Sequence, residues 1–166
     1  MAALIQTAFE ALFKKAKRAA SLPREKANSA ASLPALPPMK RSDFLKIKAQ
    51  FEKRGGHILQ GPQASLILDS QGANGATSLD GKTIFLRDNP AASTVYEELA
   101  HSRQLSSGRF DGTLECLLAL EVEAKALILW RSKSLGLSDA EVEYVKSLMA
   151  EDVKSLAAEK DCKKAG

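Results

Sequence analysis

The chain has 166 residues, 45% of them hydrophobic, enough for one domain with its own core plus extensions. Two cysteines exclude a disulfide framework, and the absence of any run of about 18 apolar residues excludes a membrane-spanning helix. The formal charge of +4 is uneven: residues 1–54 hold 12 Lys/Arg against 4 Asp/Glu, and residues 55–166 hold 12 against 16, so the larger part suits a cation better than a nucleic-acid phosphate.

Residues 1–20 are predicted to contain a basic amphipathic helix. Ile5, Ala8, Phe9, Leu12, Phe13 and Ala16 recur at spacings of three and four, and Lys14, Lys15, Lys17 and Arg18 close it. Its cations suit the helix dipole locally, or a membrane surface or partner. Glu10 and Lys14 interrupt the apolar pattern, so no signal peptide is expected. Residues 21–40, with Pro23, Pro34, Pro37 and Pro38 among Ala and Ser, read as a linker.

A folded domain is expected over 41–160, followed by a polar tail over 161–166. It opens with a helix from Ser42 to Arg54, which sets Phe44, Leu45, Ile47 and Phe51 on one side and stops at Gly55-Gly56. The run Ala64–Leu68 fits a strand or a helical turn. Ala76–Leu79, Asp80-Gly81 and Lys82–Arg87 form a hairpin pattern, whose Asp-Gly favours a type I′ turn. A helix then opens at Asn89-Pro90 and runs to about Ser107, with Thr94 and Glu97 spaced as a capping box should it start later. Asp111 caps a nearly all-apolar helix to about Lys133, in which Leu127, Ile128 and Trp130 read as core and Cys116 as a buried thiol. Ser138-x-x-Glu141 opens a last amphipathic helix to about Lys160, and Cys162 reads as a surface thiol. The sum is a mostly helical α+β domain with a small antiparallel hairpin or sheet.

Chemistry concentrates at Tyr96-Glu97-Glu98-Leu99-Ala100-His101. Glu97 and His101 stand at i and i+4, so one helix offers two ligands to one metal, with Glu98 beside them as a base. This is the layout of the His-Glu-x-x-His zinc helix with Glu in place of the first His. The next helix brings Glu121 and Glu123, about 200° apart, so only one can face a shared site. A charge on so apolar a helix must meet His101, Arg103, Lys125 or a metal. One imidazole and two carboxylates would hold Zn²⁺ or another divalent ion with an open position for water. His57 reads as a loop histidine and Tyr144 as a packing residue. Ser106-Ser107 and Gly72-x-x-Gly75 complete no serine-hydrolase or phosphate-loop motif.

Gly72–Ala76, Lys82–Pro90 with its Asn89-Pro90 end, Glu97-Glu98-x-x-His101-x-x-Gln104 and Glu121-x-Glu123-Ala124 follow one another in an order that resembles the zincin-like metallopeptidase domains of bacterial polymorphic toxins. The resemblance covers roughly residues 44–150. It implies a zincin-like fold, with Glu97 and His101 as metal ligands, Glu98 as general base, and Glu121 as the preferred third ligand with Glu123 as the alternative. It further implies a protein or peptide substrate and a cognate immunity protein. The chain would be cytoplasmic in its producer, or delivered or secreted as an effector. Two positions depart from the pattern: Glu97 replaces the first His, and Lys125 stands where an orienting Asp is common. If the domain is a zincin, the strand Lys82–Arg87 is expected to be the sheet edge that receives substrate, so that proline there would harm binding more than stability.

Two rivals remain at this point. One is a binding or structural module whose Glu97–His101–Glu121 cluster is a polar core, favoured if Arg103 or Lys125 pairs with it. The other is a Mg²⁺-dependent nuclease gripping phosphate through the basic N-terminal segments.

Overall fold

The computed structural model describes residues 36–164. The helix expected in 1–20 and the linker up to residue 35 lie outside the described residues. The described chain is a mostly helical α+β fold with one three-stranded mixed sheet.

Helix α1 (Arg41–Lys53) buries Phe44 and Phe51 and half-buries Ile47, whereas Leu45 turns out to solvent. Ahead of it the chain is tied down by the Met39 amide, which donates to the Pro90 carbonyl at 2.8 Å. The backbone then turns at Gly55-Gly56 into β1 (His57–Leu59). His57 therefore opens a strand, not a loop, and is exposed. The ambiguous run Ala64–Leu68 is helical, inside α2 (Pro62–Gln71). Pro62 in the first turn and left-handed Gly72 at the end explain why helix wins over strand there.

The expected hairpin is present, as β2 (Gly75–Thr77) antiparallel to β3 (Thr83–Leu86), with Ala76 opposite Phe85. Its turn differs from expectation. The Gly81 amide donates to the Ser78 carbonyl at 2.8 Å, and only Gly81 adopts positive φ, so the type I′ form is not used. Asp80 instead accepts from the Ser78 hydroxyl and the Lys82 amide at 2.6 and 2.9 Å, which stabilises an ordinary turn. A further departure is topological. The order is β1-β3-β2, with β1 parallel to β3 across the α2 crossover. The strand expected at the edge, Lys82–Arg87, is thus central, and proline within it would break ladder bonds and cost stability. The edge strands are β1 and β2.

Helix α3 (Ala92–Ser106) lies against this sheet, with Val95 buried beside Phe44, Phe51, Ile58, Ile84 and Leu86. Its N-terminus makes no Thr94–Glu97 capping box. The cap comes from another helix: Glu141 Oε1 accepts from the Ser93 amide at 3.0 Å. Helix α4 (Leu114–Trp130) follows, with Thr113 accepting from the Cys116 amide and Asp111 holding Thr113 in place, so Asp111 supports the cap without being it. Leu118, Leu120, Ala124 and Ile128 are buried. Trp130 is 82% exposed, Leu127 is also exposed and Cys116 is half-buried, so an apolar helix here covers the core with one face only. A short α5 (Ser132–Leu135) ends at left-handed Gly136 and leads into α6 (Asp139–Lys164). The capping box forms as expected: Glu141 Oε2 accepts from the Ser138 amide and hydroxyl, both at 2.9 Å. No helix among the described residues is long and apolar enough to cross a membrane.

One buried carboxylate, Glu141, therefore caps both α6 and α3 and fixes how they meet. Glu141→Ala is expected to lower unfolding stability by about 2–4 kcal/mol, since two charge-assisted caps disappear and leave a buried amide unpaired. Glu141→Gln should cost less. Urea denaturation measures both, and an alanine variant within about 0.5 kcal/mol of wild type would contradict the double cap.

Candidate metal centre

The period of α3 sorts its side chains into two stripes. Val95, Glu98 and Ser102 face the sheet, while Glu97, His101 and Gln104, at i, i+4 and i+7, face α4. The hairpin seats on the first stripe. Ser102 Oγ donates to the Gly81 carbonyl at 2.5 Å, and a side chain at Gly81 would collide with α3.

On the second stripe, Glu97, His101 and Glu121 each bring one ligand atom to a common point, all within 4.8 Å of one another. Glu121 Oε2 lies 3.5 Å from His101 Nε2. Glu121 keeps 28% of its side chain exposed, so the cluster opens to solvent on that side. Glu123 points elsewhere, in a bidentate pair with Arg109 at 2.6 and 2.7 Å on the surface. The helical separation between the two acids thus puts Glu121, and not Glu123, at the cluster.

Gln104 decides the tautomer of His101. Its Nε2 donates to the Leu120 carbonyl at 3.1 Å, which can only accept, so its Oε1 faces His101 Nδ1 at 2.9 Å. Nδ1 must then carry a proton, which leaves Nε2 directed at Glu121 and suited to a metal. The adjoining open cavity between α3 and α4, lined by Arg103, Arg109, Glu123 and Leu127 among others, holds none of the three candidate ligands.

Lys125 belongs to the cluster as well. Its buried ammonium stands 2.8 Å from Glu97 Oε1, 2.5 Å from Glu121 Oε2 and 3.0 Å from Asp152 Oδ2. The internal pairing that marks the structural rival is therefore present, through Lys125. Arg103 remains on the surface. Asp152 escaped the sequence reading. Its signal was available, since it sits seven residues after buried Val145 and eleven after buried Glu141, on the inward stripe of α6.

The charges shape one another. Burial alone would raise the Glu121 carboxyl, but the His101 imidazole and then the Lys125 ammonium hold it down at about 2. Burial alone would lower His101, and the Glu121 carboxylate, joined by Glu98 and Glu97, lifts it to about 10 without metal. Lys125 is pushed above its ordinary value against the effect of burial, by Glu121 first and Glu97 next. Asp152 is raised by burial, with Lys125 opposing. On α6, Tyr144 is raised by burial and by the charge of Glu97.

Glu98 is buried as well, on the sheet side of α3. Burial is the main cause that lifts its pKa to about 7; the charge of His101 opposes and that of Glu97 adds. Thr77 Oγ1 lies 2.7 Å from Glu98 Oε2 and 3.1 Å from the Glu98 carbonyl. The Thr77 hydroxyl donates to this carboxyl, the closer of the two oxygens, and so lowers its value against the larger effect of burial. Gly75 makes room: a Cβ there would stand 2.8 Å from Glu98 Oε1.

Comparison of the chain with models of known protein families, with curated proteins and with solved structures gives no match.

The Glu98 environment predicts a pH dependence. Its folded value of about 7 exceeds the ordinary 4.5, so its contribution is complete below about pH 4.5 and lost as pH rises through 7. Glu121 has the opposite sign and weakens the fold only as pH falls from 4.5 toward 2. Between about pH 5 and 8, metal-free wild type should lose roughly 3 kcal/mol more stability than Glu98→Gln. Parallel urea titrations across that range measure the difference, and identical slopes would refute the assignment.

Proposed function

We propose that Glu97, His101 and Glu121 form a divalent-cation site and that the chain is a metal-dependent peptidase of the zincin-like kind. The observation that carries this reading is the convergence of three ligand atoms from two packed helices within 4.8 Å, on the solvent-open side of the cluster. The donor set fits such an ion: a tautomer-fixed imidazole nitrogen and two carboxylates, with a position left for water, suit Zn²⁺ and admit harder divalent ions. When bound, the ion would acidify a water and polarise the scissile carbonyl.

The chain's own residues supply the rest. Gln104 orients His101. Glu98, with its pKa near 7, takes a proton at its carboxylate and returns it to the leaving amine. Substrate docks as an added strand, on β2 rather than on the central β3. Bonds at Asn74–Arg87 and Ser78–Thr83 point inward, so the amides and carbonyls of Gly75 and Thr77 face the outer edge, beside Glu98. The order of motifs further suggests the effector domain of a bacterial polymorphic toxin, with an immunity protein as partner.

A second reading has an observation of its own. The ammonium of Lys125 satisfies Glu97 and Glu121 from inside, as a purely structural polar core requires. It leaves unexplained why three carboxylates surround one lysine and why His101 Nε2 is turned toward Glu121. The nuclease reading gains no support from the mildly acidic larger part of the chain.

Metal content by mass spectrometry separates the readings. Wild type is expected to carry about one zinc per chain, and His101→Ala to carry none, since three ligands are the minimum for such a site. Glu98→Gln should keep the metal and lose about 10²–10⁴-fold of peptide hydrolysis. No metal in wild type, even after zinc is offered, would leave the structural reading standing.

A further inference from the structure

We propose that Asp152 is a positioning residue for the metal site: it holds the Lys125 ammonium when a divalent ion takes Glu97, His101 and Glu121. This rests on the metal-site reading above. Lys125 pairs with two of the proposed ligands, Glu97 Oε1 at 2.8 Å as well as Glu121, and the competition is sharpest at Glu121. Glu121 Oε2 faces His101 Nε2 at 3.5 Å and also takes Lys125 Nζ at 2.5 Å. That is the Glu121 oxygen that faces His101, so a metal beside His101 would compete with the ammonium for it.

Lys125 cannot withdraw to water. Its side chain is 5% exposed, and it projects from α4 into the space between α3 and α6. A buried ammonium without a counter-charge is strongly disfavoured, so a binding mode that strands Lys125 will not form. Asp152 removes the difficulty. Its Oδ2 already lies 3.0 Å from Lys125 Nζ, is shut off from solvent, and accepts no well-aligned hydrogen bond. Among the described residues, it is the acid paired with Lys125 that lies outside the candidate ligand set. A short swing of the ammonium from Glu121 toward Asp152 frees the metal's oxygen and completes the bond that Oδ2 lacks.

Charge counting agrees. With a divalent ion and the ammonium both inside, the three carboxylates in contact with Lys125 meet three positive charges; Glu98, held by Thr77 on the sheet side of α3, is not counted among them. Without Asp152 one positive charge is left over in a largely buried site, and the ion is the component free to leave.

The test is zinc affinity of the full chain by competition with a chromogenic chelator, using wild type, Asp152→Asn, Asp152→Glu, Lys125→Met and the Lys125→Met/Asp152→Asn double variant. Asp152→Asn should weaken zinc at least tenfold, and Asp152→Glu should stay within about threefold of wild type because the counter-charge is kept. In the Lys125→Met background, the same Asn change should alter affinity less than about threefold, since no ammonium remains to be held. An equal loss in both backgrounds, or no loss in wild type, overturns the proposal. If Asp152→Asn alone does not fold, the Lys125→Met pair still decides: a tenfold loss there overturns the proposal, and indifference supports it. Zinc that binds and is abolished by His101→Ala, yet ignores Asp152, ends this inference alone. Zinc that binds no variant ends the metal-site reading with it.

Discussion

The ammonium of Lys125, buried among Glu97, Glu121 and Asp152, is the interaction on which the helical half of the fold depends. It joins α3, α4 and α6 at one point. Removing one partner of such a buried set costs about 3–5 kcal/mol, because the remaining charge is left unpaired in a poor solvent. The contrast on the same helix is instructive. Glu123, two residues from Glu121, makes two shorter-than-average bonds to Arg109, yet that exposed pair is screened by solvent and contributes little to the fold. Geometry is as good at the surface as inside. Solvent decides which pair governs the structure.

The second constraint is the double use of α3. One stripe must satisfy the sheet and the other must satisfy the cluster, and a helix allows both because residues three or four apart share a side. Val95 enters the sheet-side core, Ser102 receives the hairpin turn, and Glu98 hangs from Thr77 at the β2 edge. One turn round, Glu97, His101 and Gln104 look toward α4. Glu141 sets the start of this helix from a distance. The base candidate and the ligand candidates are thus held by different neighbours, and disturbing the sheet need not disturb the ligands.

Much of this could be read from residues alone. The i, i+4 spacing of Glu97 and His101, the Ser138–Glu141 capping box and the β2–β3 hairpin all rest on contacts within a few residues, and all are present. What escaped depends on contacts between distant segments. Strand β1 has three residues and one buried side chain, too little for periodicity to register, and its parallel partner lies across a helix. The inward position of Asp152 follows from the stripe it shares with Glu141 and Val145, but its partner Lys125 comes from another helix, and no local pattern names that partner. On α4, apolar residues stand on every side, and the sequence cannot say which face the core will use; Ile128 went in, and Trp130 stayed out. Asp80-Gly81 misled in a narrower way. Its positive-φ preference was real at Gly81, but Ser78 and Lys82 supplied Asp80 with bonds that a different turn satisfies.

The two readings of the cluster share one electrostatic fact. Three carboxylates on three helices converge where a single lysine provides one positive charge, and burial makes every unmatched negative charge expensive. The protein meets the excess in the metal-free state by raising the proton affinity of His101. That solution leaves the imidazole nitrogen facing Glu121 occupied by a proton, which a metal ion would have to displace, so metal binding there would release a proton and tighten as pH rises. A core built only for stability would be better served by apolar residues of similar volume, since a buried ion cluster rarely outperforms them. An imidazole held by Gln104 and open on the Glu121 side, among surplus carboxylates, is costly for a fold and leaves a cluster that could hold a metal ion.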